Sequence, residues 1–317
     1  MPIPIVIDKQ EIISALESID IISAMQAGFI AYSNGQAVVP PVGELLFEQP
    51  KGEAHIKYGY IKSEPYYVIK IASGFYDNPQ MGLSSSQGLM LLFSQQTGQA
   101  IAILLDEGHL TDVRTAAAGA LAAKYFAPNE VNAIGILGTG IQARFQLEYL
   151  QHVRPCKNVW IWGRTPENVQ KLKVDLNKDF DIQIAGSPAE VAHHANLIVT
   201  TTPSGTPLLK ADDIRPGTHI TAVGSDTSTK QELQSEILER ADLVIADSIP
   251  QSKSRGEIFR ALKAGVLLDE NITELGIALQ NNTLRRTNET QISIVDLTGV
   301  AVQDIMIASA VYNAFKR

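Results

Sequence analysis

Residues 131–143 constrain this chain more than any other stretch. An apolar run, Val131–Leu137, ends on Gly138-Thr139-Gly140-Ile141-Gln142-Ala143, and a helical pattern, Ile141–Val153, begins inside that turn. A strand that turns through G-x-G-x-x-A directly into a helix is the opening of a βαβ unit. Gly138 permits the tight turn, Gly140 lets a ligand approach the backbone, and Ala143 keeps the helix close to the sheet. The first amides of the helix then face whatever lies outside the strand end, and they carry the positive end of its dipole. A dinucleotide's pyrophosphate fits that arrangement; a plain glycine turn is the competing reading.

The chain beyond Val153 keeps the same alternation. Val159–Trp162, Leu197–Thr200, His219–Val223, Leu243–Ala246 and Ile292–Leu297 are short apolar runs alternating with helical patterns. Near-continuous apolar strands between helices predict an α/β fold: a doubly wound parallel sheet covered on both faces. Ligands of such sheets bind outside the carboxyl ends of the strands. The residues placed there are Gly138, Thr139, Gly140, Ile141 and Gln142, then Arg164 and Thr165, Thr201 and Thr202, Val223 and Gly224, and Thr298. The second strand ends on Gly163-Arg164-Thr165 rather than on an acid that would bond a ribose 2′-hydroxyl. A guanidinium suits a 2′-phosphate, which predicts NADPH, with NADH as the alternative; Arg164 as an ordinary exposed charge is the competing reading.

The first third of the chain is different. No arginine precedes Arg114. Apolar spacing predicts one helix over Glu11–Asn34, closed by Asn34-Gly35. Short β-forming runs come next at His55–Tyr60, Tyr66–Ala72, Gly88–Phe93 and Gln99–Leu105, separated by turn residues, which predicts an α+β region built on a meander. Thr111–Phe126 reads as an Ala-rich helix N-capped by Thr111 and ended by Pro128. Val302–Phe315 is a last helix that returns to this first region. At about 100–200 residues per domain, 317 residues make two: 1–115 with 301–317, and 116–300, which carries the dinucleotide turn.

Lys57, Lys70, the serines 84–86 and Arg114 are the polar candidates of the first region. Lys70 lies inside an apolar strand, where an amine must be paired or face a cleft. Arg114 lies one turn into an Ala-rich helix whose other residues read as buried. It serves either as a bidentate clamp on a carboxylate or as a structural ion pair, and spacing does not separate the two. A net charge of −8 with no basic run argues against a nucleic-acid surface. No stretch approaches the ~20 apolar residues that span a bilayer. The single cysteine, Cys156, cannot staple the fold, and it reads as a small residue in a turn more readily than as a nucleophile. These features, with an N-terminal apolar run too short and uncharged for a signal peptide, lead to an expectation of a cytoplasmic protein with no membrane or nucleic-acid partner and no metal site.

Taken together, these blocks resemble the ornithine cyclodeaminase/mu-crystallin family over essentially the full length. The matching stretches are Lys70 with Asn78 and Gly82-Leu83, Thr97-Gly98, Leu110-Thr111-Asp112-Val113-Arg114-Thr115-Ala116-Ala117, and the Gly138–Ala143 turn. Gly224-Ser225-Asp226 with Lys230 and Glu232-Leu233, and Thr298-Gly299-Val300-Ala301-Val302-Gln303-Asp304, also match. The resemblance implies a homodimer acting on a small amino or imino acid. It implies that Lys70 and Arg114 hold the substrate carboxylate, that Ser85 lies near the nicotinamide, and that Asp226 lies near the substrate amine. Lys230 and Thr298 would lie near the cofactor. Three positions depart from the family's habit. Pro40-Pro41-Val42 lacks the arginine often found there, Ser84 replaces a proline, and Leu297 replaces a serine; these favour an altered specificity. A cyclodeaminase recycles NAD within its cycle and has no use for an NADP preference, so Arg164 favours a reductase. The expected reaction is NADPH-dependent reduction of a cyclic imine, Δ1-pyrroline-2-carboxylate to L-proline, with Lys70, Asp226 or water supplying the proton. An ornithine or lysine cyclodeaminase and a non-catalytic NADPH-dependent ligand binder are the alternatives.

Overall fold

The structure is a computed structural model that describes residues 3–75 and 77–316. The chain divides into two compact units, one made of residues up to Arg114 together with those from Val300 onward, the other of Thr115–Gly299.

The first unit opens with β1 (Ile5–Ile7), α1 (Lys9–Leu16) and α2 (Ile21–Ser33). The single helix expected over Glu11–Asn34 is broken. Asp20 accepts hydrogen bonds from the Ser23 amide at 3.0 Å and the Ser23 hydroxyl at 2.6 Å, and so starts a new helix inside the apolar pattern. Then come β2 (Ala37–Val38), β3 (Gly43–Phe47), β4 (Gly52–Ile61), β5 (Tyr66–Phe75), β6 (Ser86–Ser94) and β7 (Ala100–Leu104). Strands β4 to β7 form the antiparallel meander, β1 pairs parallel with β7, and β2 and β3 both pair with β4.

α3 (His109–Phe126) begins two residues before the expected cap at Thr111. The capping acceptor is Asp106, whose Oδ2 takes the Leu110 amide at 2.8 Å, with Gly108 turning the chain at φ +85°. Within this unit the C-terminal helix, Val302–Phe315, packs against α2 and against β4, β5 and β6. It is covered on two sides, so polar Gln303 and Asp304 are as buried as Ile305 and Val311. Its approach to α2 is so close that a β-carbon at Gly28 would stand 2.7 Å from Met306 Cγ.

The second unit continues with β8 (Ile134–Leu137), α4 (Ile141–Leu150), β9 (Asn158–Trp162), α5 (Pro166–Leu176), β10 (Asp181–Ile184), α6 (Pro188–His194), β11 (Leu197–Thr200) and β12 (His219–Ala222). After these come α7 (Ser235–Arg240), β13 (Leu243–Ala246), α8 (Ile249–Ser252), α9 (Gly256–Ala264), β14 (Ile272–Glu274), α10 (Leu275–Gln280) and β15 (Ser293–Asp296). The sheet is wholly parallel, in the order β10-β9-β8-β11-β12-β15-β13-β14. One core packs Leu147 and Leu172 against Ile134, Ile136 and Val199; the other packs Val191, Ile237 and Ile258 against Ile198, Ile220 and Ile294. Successive residues Ile198 and Val199 thus serve opposite faces, which is why β11 reads as an unbroken apolar run. From β8 the strand order runs through β9 to β10 on one side and to β11 on the other. The crevice between β8 and β11 is therefore the point where such a sheet takes its ligand.

Candidate active site

In the second unit the residues expected at strand ends are there. Gly138 has φ +127°, a conformation that L side chains rarely adopt, and a β-carbon on it would collide with Thr201 Oγ1. Gly138 N donates to Trp162 O at 2.9 Å and Thr201 N donates to Leu137 O at 2.8 Å, which locks the turn to its neighbours. Gly140 is the N-cap of α4 and no side chain caps this helix. A β-carbon at Gly140 would meet no protein atom within 4 Å, so the glycine is not required by packing. An uncapped helix start with space over its cap residue is what an incoming pyrophosphate needs. Thr139 is half-buried, with its Cγ2 2.5 Å from where a β-carbon of Gly163 would stand, and Ile141 is 48% exposed despite being apolar. Gln142 Oε1 accepts from the buried Gln146.

Arg164 and Thr165 follow β9 at the surface. Among the described residues no acid pairs with Arg164. With Trp162, Gly163, Pro166 and Ile184 it lines an open cleft at the ends of β9 and β10. The Thr202 and Gly224 amides both donate to the Glu232 carboxylate, and Val223 N donates to Thr200 O at 3.0 Å. Thr298 is buried. Its hydroxyl donates to Asp247 Oδ1 at 2.8 Å and accepts from Gln251 Nε2 at 2.9 Å. Asp226 and Lys230 pair with each other at 2.6 Å, with the Asp226 side chain 42% exposed. Cys156 is half-buried, and burial pushes its thiol up, away from nucleophile chemistry.

In the first unit the structure brings Lys57, Lys70 and Arg114 together. Lys57 and Lys70 face each other across β4 and β5, and both are buried. Lys70 Nζ lies 3.2 Å from Asp304 Oδ1, and Arg114 Nε donates to the same oxygen at 3.1 Å. Arg114 NH1 donates to Gln303 Oε1 at 3.0 Å. Burial lowers the Lys70 ammonium to about 7; Asp304 opposes the shift, and Arg114 and Lys57 add to it. Asp106, raised by its own burial, is close enough to feel Lys70.

The cluster is rich in cations and incompletely satisfied. Asp304 Oδ2, Gln303 Nε2 and Asp106 Oδ1 are buried without hydrogen-bond partners, a condition that marks room for a polar ligand or ordered water. Ser85 stands apart from the cations, at the end of the β5–β6 ladder beyond the Gly74–Ser86 pair, where its carbonyl accepts from Phe75 N at 2.8 Å.

Three residues of this chemistry were not among the sequence candidates: Asp304, Asp106 and Glu232. The sequence signal for Asp304 is the one acid of a largely apolar helix, placed in its first turn. For Asp106 it is an Asx residue just ahead of a helix.

A sequence model of the ornithine cyclodeaminase/mu-crystallin family matches residues 4–317. Among relatives, an uncharacterized cyclodeaminase (y4tK) of Sinorhizobium fredii is 40% identical over 299 residues, covering 93% of this chain and 90% of that protein. Among solved structures, an archaeal alanine dehydrogenase dimer with bound NAD is 32% identical with a TM-score of 0.88, covering 98% of this chain and 95% of the other. The Thermococcus litoralis Δ1-pyrroline-2-carboxylate reductase in complex with NADH and L-proline is 27% identical with a TM-score of 0.89, covering 98% and 97%. No single helix among the described residues is long and apolar enough to cross a membrane. The chain is an oxidoreductase, and by the match along nearly all of its length it belongs to the ornithine cyclodeaminase/mu-crystallin family.

Proposed function

We propose that this protein reduces the C=N bond of a small cyclic imino acid with NADPH, Δ1-pyrroline-2-carboxylate to L-proline being the best candidate, and that it works as a homodimer. The observation that carries the reading is the buried set of Lys57, Lys70 and Arg114, with one oxygen of Asp304 shared by two of them. A carboxylate bound there would accept from these cations and from Gln303 Nε2, which is buried without a partner.

The second unit fits a nicotinamide dinucleotide. The uncapped start of α4 and the space over Gly140 would take the pyrophosphate, and Arg164 would take a 2′-phosphate. When bound, the dinucleotide supplies the hydride. The chain's own residues do the rest. Arg114, oriented by Asp304 and Gln303, fixes the acid. Lys70, held near neutrality by burial, supports the carboxylate and hands a proton from Nζ to the substrate nitrogen. The family resemblance also offers Asp226, which pairs with Lys230, as a proton donor.

The likeness to an alanine dehydrogenase favours a second reading, reductive amination of pyruvate. One assay separates them: oxidation of NADPH and of NADH with pyrroline-2-carboxylate, with piperideine-2-carboxylate, and with pyruvate plus ammonia. Turnover of a cyclic imine with NADPH is expected. Turnover with pyruvate and ammonia alone selects the second reading, and ammonia release from ornithine without net NADH selects a cyclodeaminase.

A further inference from the structure

The geometry points to Glu232 as a positioning residue for dinucleotide binding, tying the ends of β8, β11 and β12 into one block. This rests on reading the second unit as the dinucleotide site.

Glu232 is fully buried. Its Oε2 accepts from Thr200 Oγ1 at 2.7 Å and from Gly224 N at 2.9 Å, and its Oε1 accepts from Thr202 N at 2.6 Å and Thr202 Oγ1 at 2.7 Å. All its lone-pair positions are thereby used, and no lysine or arginine among the described residues pairs with it. β11 and β12 are parallel neighbours, with Thr200 beside Ala222, so the chain leaves both strands side by side with amides in need of acceptors. One carboxylate, reaching back from beyond the second loop, serves both.

The link extends to the turn after β8. Thr201, between two residues held by Glu232, bonds Leu137 O through both its amide and its hydroxyl, at 2.8 and 3.1 Å. Its Oγ1 is the wall against Gly138. Glu232 is itself held from behind, because Glu257 accepts from Glu232 N at 2.7 Å and from Leu233 N at 3.2 Å. Gly224 fits so tightly that a β-carbon would collide with the backbone of Thr202 and come within 2.6 Å of Glu232 Oε2. A block of this kind fixes in advance the loops that receive the ligand, which spares binding the ordering of those loops.

A glutamine cannot replace this group. Its amide offers one acceptor oxygen and turns two donors toward the Gly224 amide and the Thr200 hydroxyl. The test is calorimetric titration of NADH and of NADPH into the full-length protein, with thermal midpoints measured in parallel, for wild type, Glu232→Gln and Thr200→Val. Thr200 is fully buried and its hydroxyl donates to Glu232, so its isosteric variant removes one bond to that carboxylate. Glu232→Gln should weaken both dinucleotides alike, by about tenfold or more, and Thr200→Val by a few-fold in the same direction. Thermal midpoints that fall while both affinities stay at the wild-type value would overturn the proposal, leaving Glu232 a merely structural acid. If Glu232→Gln does not fold, Thr200→Val decides by the same criterion. Wild type that binds neither dinucleotide defeats the underlying reading instead.

Discussion

The two units bury charge in opposite ways. In the first, Lys57, Lys70 and Arg114 collect around Asp304, with Asp106 near enough to act on Lys70, and Asp304 Oδ2 and Asp106 Oδ1 are left without donors. In the second, Glu232, Glu257 and Asp296 are buried without a basic partner among the described residues, and each accepts from backbone amides, Glu232 from hydroxyls as well. Burial raises all three, Glu232 to about 7 and Glu257 to about 8. Both arrangements are costly, but they are completed differently. A buried acid surrounded by fixed dipoles is finished by the fold and holds backbone in place. A cation cluster with orphaned polar atoms is finished by something that arrives.

That contrast can be broken experimentally. The largest effect is expected for Arg114→Ala, which removes a buried charge that orients the acid; kcat/KM for the imino acid should fall by about two to three orders of magnitude, mostly through KM. A fall of only a few-fold, with the fold intact by circular dichroism, would make the cluster structural. Next is the pH profile. The Lys70 ammonium is present below about pH 7 and is lost as pH rises through that value, so kcat/KM for reduction should decline on the alkaline side with an apparent pKa near it. Lys70→Arg, charged throughout, should be slower and lack that limb; an unaltered limb assigns it elsewhere.

Two predictions sharpen the second unit. Gly140→Ala should leave thermal stability nearly unchanged, because its φ of −80° is ordinary and the space is open, yet weaken both dinucleotides about tenfold by filling the phosphate approach. Arg164→Ala should raise the Kd for NADPH about tenfold and barely move that for NADH. Equal effects on the two would end the case for an NADP preference.

How much of the molecule could be read in advance depends on the range of the interactions. The turn at Gly138–Ala143 and the strands around it are local patterns. They were legible because a buried parallel strand needs only a few consecutive apolar residues. The break between α1 and α2 was local too, but Asp20 and Ser23 were outweighed by the apolar spacing around them. β3 escaped because Gly43–Phe47 is largely exposed and does not alternate. Asp304 escaped for a different reason: its partner Arg114 is 190 residues away, and no periodicity connects the two. Glu232 likewise collects donors from Thr200, Thr202 and Gly224, which only the parallel pairing of β11 with β12 makes neighbours.

The return of the C-terminal helix to the first unit has a consequence for how the protein is made. Residues 115–299 form a continuous unit interposed between the two parts of the other. During translation this unit is complete first, while Arg114 and Lys70 have emerged without Asp304. The nascent polypeptide therefore carries, for the time a ribosome takes to add nearly two hundred residues, a pair of basic groups whose counterpart has yet to be synthesised. Only the last stretch of translation allows them to be enclosed.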